Sequence, residues 1–343
     1  MATPALRALR QCFCDAEITH FGRPAPLAVL TGAGLADQQL ADTSTRTPAI
    51  VHLSIMAHRM RRRRFDLAVL LPNSFRSALL VRLAGVRRRL GYARDARGWL
   101  LTDRLDPPRD DRGKLRTIPA MDYYIDLLAP LGVSVDDRRM MLAVTPDGES
   151  AAQRMLTAAG WDPTRPLIML NPGGAFGPSK LWPAQRYAAL ADELIGRHGA
   201  QIVINAAPGE RPIARQVASA MTAVPLVNLA DHDNSLAILK SLMARCRLVI
   251  TNDTGARHIA AAMGADVVTI FGSTDPGWTT INCQRERIVR VDVPCGPCQK
   301  KQCPLPPGPQ FHQCMTAIDV GMVLAAAGEL LAEPAAADER QTS

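Results

Sequence analysis

Two apolar, β-branched runs at residues 248–251 and 266–271 flank a turn and a short alanine-rich segment: LVITNDTGARHIAAAMGADVVTIFGST. Neither run alternates polar with apolar residues. Both suit strands buried on two faces, so this stretch belongs in a sheet covered on each side. Between the runs, Asn252-Asp253-Thr254-Gly255 is turn chemistry, and residues 256–263 read as a helix closed by Gly264. That geometry leaves the N–H groups of Thr254, Gly255 and Ala256 beyond the strand ends, where a helix start attracts phosphate. Gly255 has no Cβ to hold a ligand away. In a second reading, Asp253 or Thr254 merely caps the helix. The local pattern leaves both open.

The rest of the chain repeats the theme. A helix opens it, with Thr3 as expected cap, Pro4 at its first position and Ala5, Leu6, Leu9 and Phe13 as its apolar stripe. Strands are expected at 17–21, 38–41, 66–71 and 88–92, and helices at 26–30, 48–62, 75–83 and 120–131. Residues 144–166 are polar and punctuated by Pro and Gly, which suggests a boundary. Beyond it strands are expected at 167–170, 201–205, 225–229 and 287–293, with helices at 183–198, 211–221, 235–245 and 317–331. Alternation of this kind means parallel α/β construction. The expected domains are 1–150 and 151–332, with 333–343 a disordered tail. A doubly wound fold normally begins with a central strand, and none precedes the first helix here.

At 343 residues there is length enough for two ordinary domains. No apolar run approaches the roughly 18 residues that span a bilayer, and the start MATPALRALRQ lacks a signal-peptide core, which points to the cytoplasm. The net charge of +8 favours anionic partners such as nucleotides, phosphorylated lipids or a membrane surface.

Several residues carry candidate chemistry. The loop NPGGAFGPSKLW follows a buried strand, and its glycines let the backbone approach a ligand. Lys180 stands in it as a point charge for a pyrophosphate, against the alternative of a solvated surface lysine. The loop is neither a Walker loop nor a GxGxxG fingerprint, so ATPase and dehydrogenase readings lose support. Glu210, after the next strand, suits a ribose or equally a helix first turn. Asp231-His232-Asp233 looks like a metal-binding DxD, but capping by Asn234 or Ser235 accounts for it. His258 suits a phosphate or simple packing. Cys295, Cys298, Cys303 and Cys314 include one CxxC without a matching second, an incomplete zinc pattern. Arg59, Arg61–Arg64 and Arg87–Arg89 complement helix ends or attract an anionic membrane. Few aromatics interleave them, which disfavours single-stranded nucleic acid.

Taken together, NPGGAFGPSKLWP, NDTGARHIAAAMG, FGSTDP and CGPCQKKQCP…HQCM resemble the lipopolysaccharide heptosyltransferases of glycosyltransferase family 9. The resemblance runs from the first helix to the last. It implies the GT-B architecture, two Rossmann-like domains facing across a cleft, an N-terminal acceptor domain and a C-terminal donor domain. It implies inverting transfer of heptose from ADP-heptose to a lipid A-linked core oligosaccharide, at the inner face of an anionic membrane. No nucleic-acid partner, resident cofactor or metal is implied, the ADP-sugar being a substrate. Lys180 and Asp253 are the implied catalytic residues. Asn171, Gly173, Gly174, Lys180, Glu210, Asp253, Thr254, Gly255, Ala256 and His258 would line the donor site. The family's general base, an Asp in a Gly-Asp loop after the first strand, is expected ahead of residue 1. Two rival readings are another GT-B transferase with a different nucleotide sugar, and a non-catalytic nucleotide-sugar binding protein at the membrane.

Overall fold

The structure, a computed structural model, describes residues 1–43, 48–281 and 285–334. The chain divides into two compact units. The first comprises Met1–Leu27, Leu35–Arg138 and Gly277–Thr280; the second comprises Ala28–Gly34, Arg139–Pro276 and Ile281 onward. A helix that straddles the expected boundary at 150, Pro146–Ala158, lies wholly in the second unit.

In the first unit, α1 (Thr3–Cys12) is followed by strand β1 (Thr19–Gly22), the start of helix α2 (Pro24–Leu30, whose residues from Ala28 belong to the second unit) and strand β2 (Gln38–Ala41). Helix α3 (Ala49–Arg61) leads to β3 (Leu67–Val69), α4 (Phe75–Leu83), β4 (Arg88–Tyr92) and β5 (Asp103–Leu105); α5 (Ala120–Asp126) closes the set. All pairings are parallel, β1 with β2 in one sheet and β3-β4-β5 in another. The helices α3 and α4 bury Met56, Ala57, Met60, Ala78, Leu80 and Val81 in one cluster. Three expectations shift here. Thr3 lies inside the first turn and Ala2 precedes it without a side-chain cap. Helix α5 stops before 131 because Pro130 cannot continue it, and the chain turns through Ala129–Leu131 into left-handed Gly132. Strand β5 was not expected, since Asp-Arg-Leu carries no alternation to read.

The second unit begins with α6 (Pro146–Ala158). Six strands follow: β6 (Leu167–Asn171), β7 (Gln201–Ile204), β8 (Val227–Asn228), β9 (Leu248–Asn252), β10 (Asp266–Ile270) and β11 (Glu286–Val289). They interleave with α7 (Ala184–His198), α8 (Arg211–Ala220), α9 (Leu236–Arg245), α10 (Gly255–Ala262), α11 (Gln313–Thr316) and α12 (Val320–Ala332). The sheet is fully parallel, in the order β11-β10-β9-β6-β7-β8. That is the doubly wound arrangement, in which the chain leaves one edge after β8 and restarts beside β6. Alternate residues of each strand face opposite layers. Ile168, Leu170, Ile202, Ile204 and Ile250 pack with α7, α8 and α12, whereas Leu167, Met169, Val203 and Val249 pack with α6, α9 and α10. This two-sided burial is what the uninterrupted apolar runs require.

Two further differences lie near the end of the second unit. The last helical stretch is split, with Asp319 capping α12 through the Met322 N–H at 2.8 Å. Strand β11 ends at Val289, before residue 293. Of the expected tail, Glu333 is fixed by ion pairs to Arg285 (2.9 Å) and Arg287 (2.8 Å), while 335–343 lie outside the described residues. No helix among the described residues is long and apolar enough to cross a membrane.

Candidate functional site

The switch point of the second sheet lies between β6 and β9, whose last pair is Asn171 with Thr251. In doubly wound sheets ligands bind beyond the strands' carboxyl ends at this position. Both halves of the candidate site start there: the glycine-rich loop after β6, and the turn from β9 into α10.

Buried amides lock the two halves together. Asn252 is fully buried; its Nδ2 donates to the carbonyls of Pro172 and Gly173, each at 3.0 Å, and its Oδ1 accepts from the Tyr187 hydroxyl at 3.1 Å. Asn171 Nδ2 donates to the hydroxyls of Thr251 (2.9 Å) and Thr254 (3.1 Å), and Asn205 Nδ2 donates to Asn171 Oδ1 at 2.6 Å. Thr254 therefore precedes α10 without its side chain capping the helix. The simple capping reading fails at Thr254, whose side chain takes none of the first-turn N–H groups.

Lys180 is buried, not a solvated surface lysine. Its Nζ lies 2.5 Å from Asp253 Oδ2, 3.0 Å from the Asp253 carbonyl, and 4.7 Å from the centre of the Phe176 ring. Asp253 Oδ2 also accepts from Thr274 Oγ1 at 2.9 Å, and Arg257 Nη1 stands 3.7 Å from Oδ1. Burial alone would raise the Asp253 pKa, but the Lys180 hydrogen bond and charge, with Thr274 and Arg257, pull it below the usual carboxylate range. The pair's contribution to stability is thus present above the unfolded value near 3.8 and is lost as pH falls through the lower folded value. An ammonium has three N–H donors, and Asp253 engages two of them.

The segments after β10 and β11 clamp the lysine loop. Ser179 Oγ donates to the Lys300 carbonyl at 2.5 Å, its N–H to the Lys301 carbonyl at 3.2 Å, and its hydroxyl lies 3.0 Å from Ser273 Oγ. Gly177 sits at φ +155° with the Lys301 carbonyl where a Cβ would stand, so only glycine fits. This gives the cysteine-rich stretch a structural task. Cys314 is buried, and burial together with the thiols of Cys295, Cys298 and Cys303 raises its pKa to about 11. Among the described residues no three His, Cys, Asp or Glu side chains are disposed to hold a metal ion. Asp231 pairs with Arg215 at 2.9 Å, and Ser235 caps α9 by accepting the Ile238 N–H at 3.2 Å.

The remaining candidates are distributed as follows. Glu210 folds over Gly173, whose missing Cβ is the space the carboxylate occupies. Leu181 covers Gly174. Gly255 is exposed, with open space where a Cβ would project, and Ala256 is buried behind it. His258 is half-buried, with Nδ1 enclosed and unpartnered among the described residues. Burial, followed by the adjacent Arg257 charge, lowers its pKa to about 3, so it is a neutral ring at pH 7. The unfolded ring takes up a proton near 6.5 while the folded one does not, so stability falls as pH drops from 6.5 towards 3. The expected result is a shallower loss of thermal midpoint over that range in His258→Gln. An identical slope would remove His258 from the acid response.

Asn205, Asn252, Thr274, Ser179 and Arg257 were not among the sequence-derived site residues. For Asn252 and Asn205 a polar side chain at a strand's last position, or just beyond it, was the available signal.

Of the arginine clusters, Arg88 pairs with Asp103 at 2.8 Å, and Arg89 donates to the carbonyls of Leu100 (2.7 Å) and Val86 (2.6 Å). The second cluster is thus engaged within its own unit.

Comparison with known proteins bears on this geometry. The profile of glycosyltransferase family 9 (heptosyltransferase) matches residues 54–308. The lipopolysaccharide heptosyltransferase 2 of Salmonella typhimurium is 30% identical over 254 residues, 69% of this chain and 68% of that protein. The crystal structure of a family 9 glycosyl transferase from Veillonella parvula superposes with a TM-score of 0.81 at 24% identity, covering 97% of this chain and 93% of the other. The ADP-heptose lipopolysaccharide heptosyltransferase II of Escherichia coli gives 0.74 at 24% identity, over 96% and 94%. These structural likenesses show the fold, the α/β class of GT-B type expected from the sequence.

Proposed function

The chain belongs to glycosyltransferase family 9, the heptosyltransferases, and on that premise we propose that it moves heptose from ADP-heptose to a lipid A-linked core oligosaccharide, with inversion. Membership makes it a transferase; the donor, the acceptor and the stereochemistry are this proposal's content. One observation supports it most: the Lys180 ammonium is held on the Asp253 turn that leads into α10, whose N-cap side chain leaves the first turn uncapped. A cation and a helix start on adjoining backbone suit two linked phosphates better than either does alone.

In the proposed reaction the acceptor hydroxyl oxygen attacks the anomeric carbon opposite ADP. The bond from that carbon to the β-phosphate oxygen breaks, and its electron pair leaves with ADP. The hydroxyl proton passes to a general base. Charge building on the departing diphosphate is met by the third Lys180 N–H and by the amides of Gly255 and Ala256. Asp253 acts through Lys180, fixing where its ammonium stands. Glu210 and Asn205, at the end of β7, are the candidates for the ribose.

Gly255 separates this reading from a structural one. Neither backbone conformation nor packing demands glycine there, because a Cβ meets open space. Gly255→Val is therefore expected to leave the thermal midpoint within a few degrees while raising KM for the donor at least tenfold. Unaltered KM would show that no ligand approaches this turn. The function itself is tested by competing ADP-heptose against UDP-sugars in a transfer assay and reading the product's anomeric configuration by NMR. Preference for a UDP-sugar, or retention of configuration, would overturn it.

A further inference from the structure

The helix α3 carries an outward face that the donor chemistry does not use. Ile50, Val51 and Ile55 are 80%, 49% and 49% exposed, and the same face continues through His58 to exposed Arg59 and Arg62. Positions 50, 51, 54, 55, 58, 59 and 62 recur at helical spacing, opposite the buried His52, Met56, Ala57 and Met60. The stripe thus runs for about 18 Å, apolar at one end and basic at the other. On the packed neighbour α4, Phe75 stands 6.1 Å from Trp99, which is 72% exposed. Single exposed apolar residues are ordinary; a graded stripe with an exposed indole nearby is not.

We propose that this face docks on an anionic lipid surface, with Ile50, Val51, Ile55 and Trp99 entering the headgroup boundary and Arg59 and Arg62 meeting lipid phosphates. Charge complementarity chooses the occupant. A second copy of a chain with net charge +8 would bring arginines against arginines, whereas an anionic bilayer meets both halves of the stripe. Indole and guanidinium are also the side chains suited to an interface that is apolar on one side and wet on the other. The proposal rests on the transfer reading only for its purpose, that of bringing the enzyme to a lipid-linked acceptor.

The test is co-sedimentation of the full chain with vesicles containing phosphatidylglycerol and with vesicles of phosphatidylcholine alone. Binding to the first and not the second is expected, with a blue shift of tryptophan emission that Trp99→Phe removes. Ile50→Glu/Ile55→Glu, changes at exposed positions, are expected to lower partitioning at least tenfold, and Arg59→Gln/Arg62→Gln to lower it about fivefold per arginine. Equal binding to both vesicle types would overturn the proposal, as would full binding by the double glutamate variant. So would a stable dimer that Ile55→Glu dissociates. The two readings stay separable through transfer to a water-soluble acceptor fragment, which these variants are expected to preserve. Vesicle binding without transfer would sink the transfer reading alone, and transfer without vesicle binding would sink this one.

Discussion

Lys180→Ala is expected to lower kcat/KM for transfer by about 10²–10³-fold, the usual cost of removing one preorganised donor from developing negative charge. Its ammonium is buried and bonded to the backbone and carboxylate of one residue. The substitution also leaves the Asp253 carboxylate, of which only 6% is exposed, with Thr274 and Arg257 but without its nearest cation, and breaking a buried pair in this way costs up to about 3–5 kcal/mol. Activity and stability must therefore be read separately. Lys180→Met/Asp253→Asn removes both charges; its thermal midpoint is expected to return towards wild type while transfer stays low. Normal kcat/KM in folded Lys180→Ala would take Lys180 out of the reaction.

Arg257→Met is expected to give the largest loss of stability. The guanidinium is fully buried, its Nε and Nη2 lie 2.6 and 2.9 Å from the two Glu286 oxygens, and it stands over the Phe271 ring at 5.0 Å. Glu286 Oε1 also accepts from Thr269 at 2.6 Å. This pair ties the first turns of α10 to the edge strand β11. Without it Glu286 is left charged in the interior, at a cost of about 3–5 kcal/mol. At roughly 2–4 °C per kcal/mol for a unit of this size, the midpoint falls by about 6–20 °C. Arg257→Met/Glu286→Gln is expected to recover most of it, since replacing both partners is far cheaper than orphaning one. A drop of under about 2 °C in the single variant would mean that solvent already screens the pair.

Much of the second unit was legible because its strands are buried on both faces. Runs such as LIML at β6 and LVIT at β9 contain no competing period, and Gly199 and Gly264 mark helix ends plainly. The first unit was less legible at its edges. DRL reads as surface, and Pro130 hides inside an otherwise helical pattern. At the candidate site, sequence spacing placed Lys180 and Gly255 after β6 and β9, where the structure has them, but did not give the side chains around them. Asn205 bonds Asn171 amide to amide, and Asn252 bonds the Pro172 and Gly173 carbonyls just beyond Asn171; pairing of that kind follows from strand order, which spacing along the chain does not encode. Asp253, expected to line the donor site, accepts from Lys180 and Thr274, the donors that a buried carboxylate needs at hand.

The most direct test of the account is a crystal structure of the full chain with ADP. The account predicts the diphosphate within hydrogen-bond distance of both Lys180 Nζ and the backbone N–H of Gly255 or Ala256. A diphosphate touching neither, or ADP seated away from the carboxyl ends of β6 and β9, would contradict it.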